Sequence, residues 1–147
     1  MKKILSLITA FSATLWAAEN CSVPGNQKGD CEQTGYVCNL GFNVVGADNI
    51  MFFQLGADAA CTYLLTSDSL KTYKSMLDTT YSDYTRFYLW ENKNSATPLS
   101  LTLAGSLAML AINNGLQVDI IYRKVDNIEF GGIKLQSIRL ISSNNNH

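Results

Sequence analysis

Residues 97–122 read TPLSLTLAGSLAMLAINNGLQVDIIY, and the architecture turns on this stretch. Thr97 carries a hydroxyl suited to capping, and Pro98 fits the first helical position, where its missing N–H costs nothing. Leu99 to Asn113 follows without a single charge. Leu103, Leu107, Leu110 and Ala111 recur at helical spacing and define the face expected in the core, with Ser100, Gly105, Ser106 and Met109 around the remainder. Asn114-Gly115 supplies a left-handed stop. A helix apolar nearly all round is buried on more than one side or faces a partner subunit, and this one is too short to span a bilayer. A strand leaves it at once: Leu116, Val118, Ile120 and Tyr122 alternate with Gln117, Asp119, Ile121 and Arg123.

Working outward, the flanking segments read mostly as strands. On the C-terminal side, a loop over Lys124 to Gly132 leads into Ile133 to Ile141, whose apolar face changes side near Ser137 and so predicts a bulge or barrel corner. On the N-terminal side, Tyr36 to Val45 alternates, with Tyr36, Cys38, Leu40, Phe42 and Val44 on one face. Ile50 to Leu55 and Ala60 to Leu65 complete a three-strand meander through turns at Gly46 to Asn49 and Gly56 to Asp58. Ser67 or Ser69 can cap a short helix through Leu70, Tyr73, Met76 and Leu77. Tyr81 to Trp90 is dense in aromatics and has no clean period. Residues 18–34 read as an irregular leader held by cysteines, and 142–147 as a disordered tail. Three strands, one central helix and two strands predict a mainly β domain over residues 18–141, a five-stranded antiparallel barrel of the OB-fold kind.

Within this frame, LAMLAINNGLQVDIIY at 107–122 and GGIKLQSIRL at 131–140 resemble the helix, glycine turn and closing strands of AB5 toxin B subunits of the subtilase and pertussis-like kind. The resemblance covers the last third of the chain. It implies a small secreted OB-fold protein with an early disulfide, assembling as a pentamer-like ring that binds host glycans beside a catalytic A subunit. No binding motif matches residue by residue, so no site is carried over.

The N-terminus and the cysteines place the protein outside the cytoplasm. Lys2 and Lys3 precede an apolar run from Ile4 to Trp16, followed by small residues, which is the layout of a secretory signal peptide spanning residues 1–17. Cleavage after Ala17 leaves 130 of the 147 residues and changes the formal charge from −1 to −3. A negative domain with 16% charged residues argues against nucleic acid and anionic membrane partners. Its polar surface must come from Ser, Thr, Asn, Gln and Tyr. Cys21, Cys31, Cys38 and Cys61 form two disulfides in an oxidising compartment. Of the three connectivities, the favoured one closes Cys21–Cys31 around a Pro/Gly-rich loop and staples two strands by Cys38–Cys61.

The chain has one histidine, His147, at its extreme end. A Ser-His-Asp or Cys-His unit therefore lacks a positioned base, and neither a metal centre nor a cofactor is called for. Carboxylate-pair hydrolysis by Glu91, Asp78, Asp83 or Glu129 is the enzymatic alternative. The preferred reading is a non-enzymatic binding subunit. Tyr84, Arg86, Tyr88, Trp90 and Asn92, with Tyr81 beside them, combine rings for a sugar's C–H face with groups for its oxygens. The competing reading packs those rings into the core, because aromatics carry large burial energies. In the ring reading, Ser100, Gly105, Ser106 and Met109 pack against neighbouring subunits. A monomeric secreted interaction module, such as an inhibitor or accessory subunit, is the runner-up.

Overall fold

A computed structural model describes residues 19–22, 29–46, 48–65, 86–92, 100–124 and 133–141. The described elements are β1 (Asn20–Cys21), β2 (Gly29–Val45), β3 (Asp48–Gly56), β4 (Arg86–Asn92), α1 (Leu101–Asn114), β5 (Gln117–Lys124) and β6 (Ile133–Leu140). The protein is mainly β with one described helix and a six-stranded mixed sheet in the order β1-β2-β3-β4-β6-β5. In addition, β5 pairs with β2. All strand pairs are antiparallel except β4–β6, where Phe87 and Tyr88 lie opposite Ile133 and Lys134 in parallel register. The expectation of a wholly antiparallel set is corrected accordingly.

The long strand β2 makes this arrangement work. Its first half, Gly29 to Tyr36, pairs with β5, and its second half, Tyr36 to Val45, pairs with β3. Between them the register shifts from Cys38 to Gly41, around Asn39 in a left-handed conformation (φ 49°). That bulge bends the strand and lets each half serve a different neighbour. The expected irregular leader is therefore corrected: Gly29 to Thr34 is ladder, not loop. Its inward row of Cys31, Gln33, Gly35 and Val37 is buried, but Gln33 and Gly35 carry no hydrophobic signal.

The third strand is also reassigned. Ala60 to Leu65 forms only an isolated bridge, Gly56 with Leu64, because Cys61 adopts a left-handed backbone (φ 58°). Within this turn Cys61 N donates to Asp58 O (3.0 Å) and Thr62 N to Asp58 Oδ1 (3.2 Å). The Thr62 amide holds the Asp58 carboxyl below its ordinary range. The strand that replaces it beside β3 is β4, drawn from the aromatic stretch. The bulge expected near Ser137 is present: the β5–β6 register slips so that Ile121 meets Ser137 while Tyr122 meets Leu135.

Met51, Phe53 and Leu55 of β3, Phe87 and Leu89 of β4, Val118, Ile120 and Tyr122 of β5, and Leu135 and Ile138 of β6 meet in one core. Phe87 sits between Phe53 and Tyr122, with ring centroids 5.8 and 5.1 Å apart. Both favoured disulfides, Cys21–Cys31 and Cys38–Cys61, are present. Cys21 and Cys31 are direct register partners across β1 and β2. Cys38 lies in β2 but Cys61 lies in the turn after β3, so this bridge ties a strand to a turn. The expected signal peptide, the helix after Ser67, Thr97, Pro98 and the tail lie outside the described residues.

Candidate interaction surfaces

The helix is built as its sequence suggests at both ends, with one change. Its N-cap is Ser100, whose hydroxyl accepts from Leu103 N at 3.5 Å. Gly115 closes it in the left-handed conformation (φ 59°), which glycine adopts without the Cβ penalty. The faces are where expectation fails. The buried residues are Ala104, Gly105, Ala108 and Ala111, not the leucines. Leu103 is 61% exposed, Leu110 48%, Met109 46% and Ile112 42%. The buried Ala104/Ala108/Ala111 stripe is the Leu103/Leu107/Leu110 stripe displaced by one residue, a rotation of about 100°. Small side chains bring the helix axis close to the sheet, and a leucine stripe there would hold it off. Gly105 shows the closeness directly: an added Cβ would lie 3.0 Å from the Phe42 ring. Gly105 therefore packs inside its own chain instead of against a neighbour, whereas Ser106 and Met109 are exposed. Phe42 and Val44, both exposed, carry the apolar surface from the helix onto the end of β2.

A second surface is the outer face of β3 and β4. Register places Ile50 opposite Trp90, Phe52 opposite Tyr88, and Gln54 opposite Arg86. Gly41 lies beside Phe52 on β2 and Lys134 beside Tyr88 on β6, which makes one row across four strands. A Cβ at Gly41 would fall 2.4 Å from the Phe52 ring, so the glycine is what lets that ring lie flat over β2. The Arg86 guanidinium stands 4.8 Å from the Phe52 centroid, a cation–π distance, and Asn39 Nδ2 donates to Gln54 Oε1 at 2.5 Å.

Of the sugar-binding residues expected from sequence, Arg86, Tyr88 and Trp90 do share this outward side. Tyr88, however, is fully buried (0% exposed) and is not part of the core cluster. Central in the sheet, between Phe52 and Lys134, it offers no open ring face, and its expected exposure is corrected. Trp90 and Arg86 are partly exposed. Asn92 ends β4, and Tyr81 and Tyr84 lie outside the described residues. Sequence reading missed Phe52, Gln54 and Gly41 here, since cross-strand neighbours carry no mark of adjacency before the register is known.

The outer face of β2, β5 and β6 carries most of the described charges, and they are paired. Arg139 donates to Asp119 Oδ2 at 2.7 Å and to Glu32 Oε1 at 3.1 Å, and Arg123 meets Asp30 at 3.1 Å. The Thr34 hydroxyl donates to the other Asp119 oxygen. The Asp119 carboxylate raises the Arg139 pKa further. Charges so matched keep a sheet exterior soluble without giving it a net sign.

Among the described residues, one group has the makings of a metal site: Glu19, Cys21 and Cys31. Its two sulfurs are bonded to each other, and the Tyr122 hydroxyl donates to the Glu19 carboxylate, so it supplies no thiolate ligand. Of the candidate hydrolytic carboxylates, Glu91 lies on β4 opposite Asn49, and Asp78, Asp83 and Glu129 lie outside the described residues. No described helix is long and apolar enough to cross a membrane. No family model, curated protein or solved structure matches the chain.

Proposed function

We propose that this chain is a secreted, non-enzymatic binding subunit on an OB-type barrel, and that it docks another protein through the outward face of α1. The observation that carries this reading is the inverted helix: it buries alanines and leaves Leu103, Met109, Leu110 and Ile112 outside. Soluble monomers rarely keep large apolar patches bare, and those that do mark interaction sites. The barrel reading is supported by pairings that run β2–β3–β4–β6–β5 and return to β2, with the helix between β4 and β5. Secretion is supported by pairing of all four cysteines and by the apolar N-terminal run. A catalytic subunit is one kind of partner such a module accompanies.

The test is to charge the face. A Leu103→Glu/Leu110→Glu variant is expected to fold with Tm within a few degrees of the parent, because exposed substitutions usually stay within about 0.5 kcal/mol. It is also expected to lose retention on a hydrophobic column. Global unfolding of the variant would mean the leucines are packed core, and the reading would fail.

A second reading concerns the ligand. The partly exposed Trp90 and the Arg86–Phe52 stack, next to the Gln54–Asn39 amides, offer a ring and polar groups on one surface, which is the chemistry a glycan needs. On a glycan array, Trp90→Ala is expected to lose at least tenfold in affinity while keeping its fold, about the 1.4 kcal/mol that one stacking contact contributes. Full binding by this variant would remove the glycan assignment and leave the docking face untouched.

A further inference from the structure

We infer that the occupant of the helix face is a second copy of this chain, docked helix against helix in antiparallel, two-fold symmetric fashion. The inference rests on the docking-face reading above and names its partner. Three observations carry it.

The first is charge. No charged residue lies between Asn94 and Val118, so the face offers a foreign partner no electrostatic register, the usual source of specificity between unlike proteins. Two copies of an uncharged face meet without like-charge repulsion.

The second is the spacing of the leucines. Leu103, Leu107 and Leu110 are separated by four and three residues. Reversing the helix direction about a point between Ser106 and Leu107 sets Leu103 of one copy on Leu110 of the other, and Ser106 on Leu107. An isologous interface needs a patch complementary to itself in this way. Small Ser106 near the axis leaves room for the opposing leucine, as close helix pairs require.

The third is the state of the polar groups on that face. The Ser106 hydroxyl donates to Thr102 O at 2.9 Å, and Asn114 Nδ2 donates to Leu110 O at 2.9 Å. The last turn is closed by Gly115 N and Leu116 N on Ile112 O and Ala111 O (3.3 and 2.9 Å). These groups already have partners inside the helix, so covering them with another apolar surface strands no donor.

A 14-residue helix is about 21 Å long, so the interface belongs to the small, weakly associating class and is best trapped covalently. The experiment introduces Ser106→Cys and, separately, Asn113→Cys into the otherwise intact, oxidised protein. Position 106 lies next to the proposed axis, within disulfide reach of its counterpart. The two 113 positions would stand about 20 Å apart along the helices, far beyond that reach. Ser106→Cys is expected to give a dimer on a non-reducing gel, with the 106–106 bond confirmed by peptide mapping, and Asn113→Cys a monomer. The parent protein is expected to sediment as a dimer at about 100 µM, a concentration that populates small interfaces.

Monomers throughout, efficient cross-linking at both positions, or a closed ring by native mass spectrometry would each overturn the antiparallel pair. Failure of this inference is separable from failure of the reading it rests on. If the parent is monomeric while Leu103→Glu/Leu110→Glu folds normally, the face is open and belongs to a different partner. If that variant unfolds, there is no docking face.

Discussion

Phe53→Ala is expected to lower the stability of the fold by about 3–5 kcal/mol, the usual cost of deleting a buried phenyl group. Phe53 has no exposed surface. Its ring packs on Phe87, which packs in turn on Tyr122, so three strands meet at one column of rings. Truncation removes the transfer free energy of the phenyl group and leaves a void that β3, β4 and β5 cannot all collapse into, because each is held by its ladder. For a domain of this size the midpoint should fall by about 10–15 °C. Thermal and urea unfolding followed by tyrosine and tryptophan fluorescence would measure it. A loss below about 1 kcal/mol would show that this column does not organise the core.

Replacing both Cys38 and Cys61 with serine should cost about 3 kcal/mol on the chain-entropy account of a cross-link across 23 residues. The bridge does more than shorten a loop. Cys38 is buried immediately before the bulge, and Gly56 sits so close that a Cβ there would lie 2.7 Å from Cys38 Sγ. Cys61 is held in a left-handed turn at the other end. Without the bond, that turn keeps only the Asp58 contacts and a few backbone hydrogen bonds. The expected readout is a lower urea midpoint at unchanged slope, with the parent's behaviour restored by no reductant or oxidant. An unchanged midpoint would assign the stability of this region to the sheet alone.

How far these features were legible in the sequence varies from element to element. Val118, Ile120 and Tyr122 alternate cleanly because one face of β5 is core and the other is the ionic exterior, and the structure agrees residue for residue. Gly115 stops the helix because its left-handed backbone favours a residue without Cβ. Compartment and spacing were enough to pair the cysteines. By contrast, β4 hid its period because Phe87 and Leu89 face the core while Tyr88, between them, is buried on the other side, so apolar residues run without a break. The start of β2 hid for the opposite reason: its inward row is Gln33 and Gly35, and hydrophobicity does not report it. Ala60 to Leu65 looked like a strand by composition, but the turn geometry at Cys61 prevents it.

The helix is the most instructive case. Amphipathic reasoning sends the largest apolar residues inward, and here the distance to the sheet set the choice, which only small residues could meet. The candidate binding residues fared similarly. Arg86 and Trp90 were visible as residue types, but their neighbours Phe52 and Gln54 come from another strand, which only the register could reveal.

The double pairing of β2 also sets an order of events for a chain that emerges from its N-terminus. The β2–β3 hairpin can close early, since its partners are neighbours in sequence. The other half of β2 must wait for Gln117 to Lys124, nearly ninety residues downstream, and such distant pairings are slow to form. Until then Gly29 to Thr34 is an open edge, able to template pairing with another chain. Oxidation of Cys21–Cys31 sits on that waiting edge and needs nothing downstream. The short β1 it fastens there covers part of the edge in the interval, so the first bridge to form can act as a guard while the rest of the protein arrives.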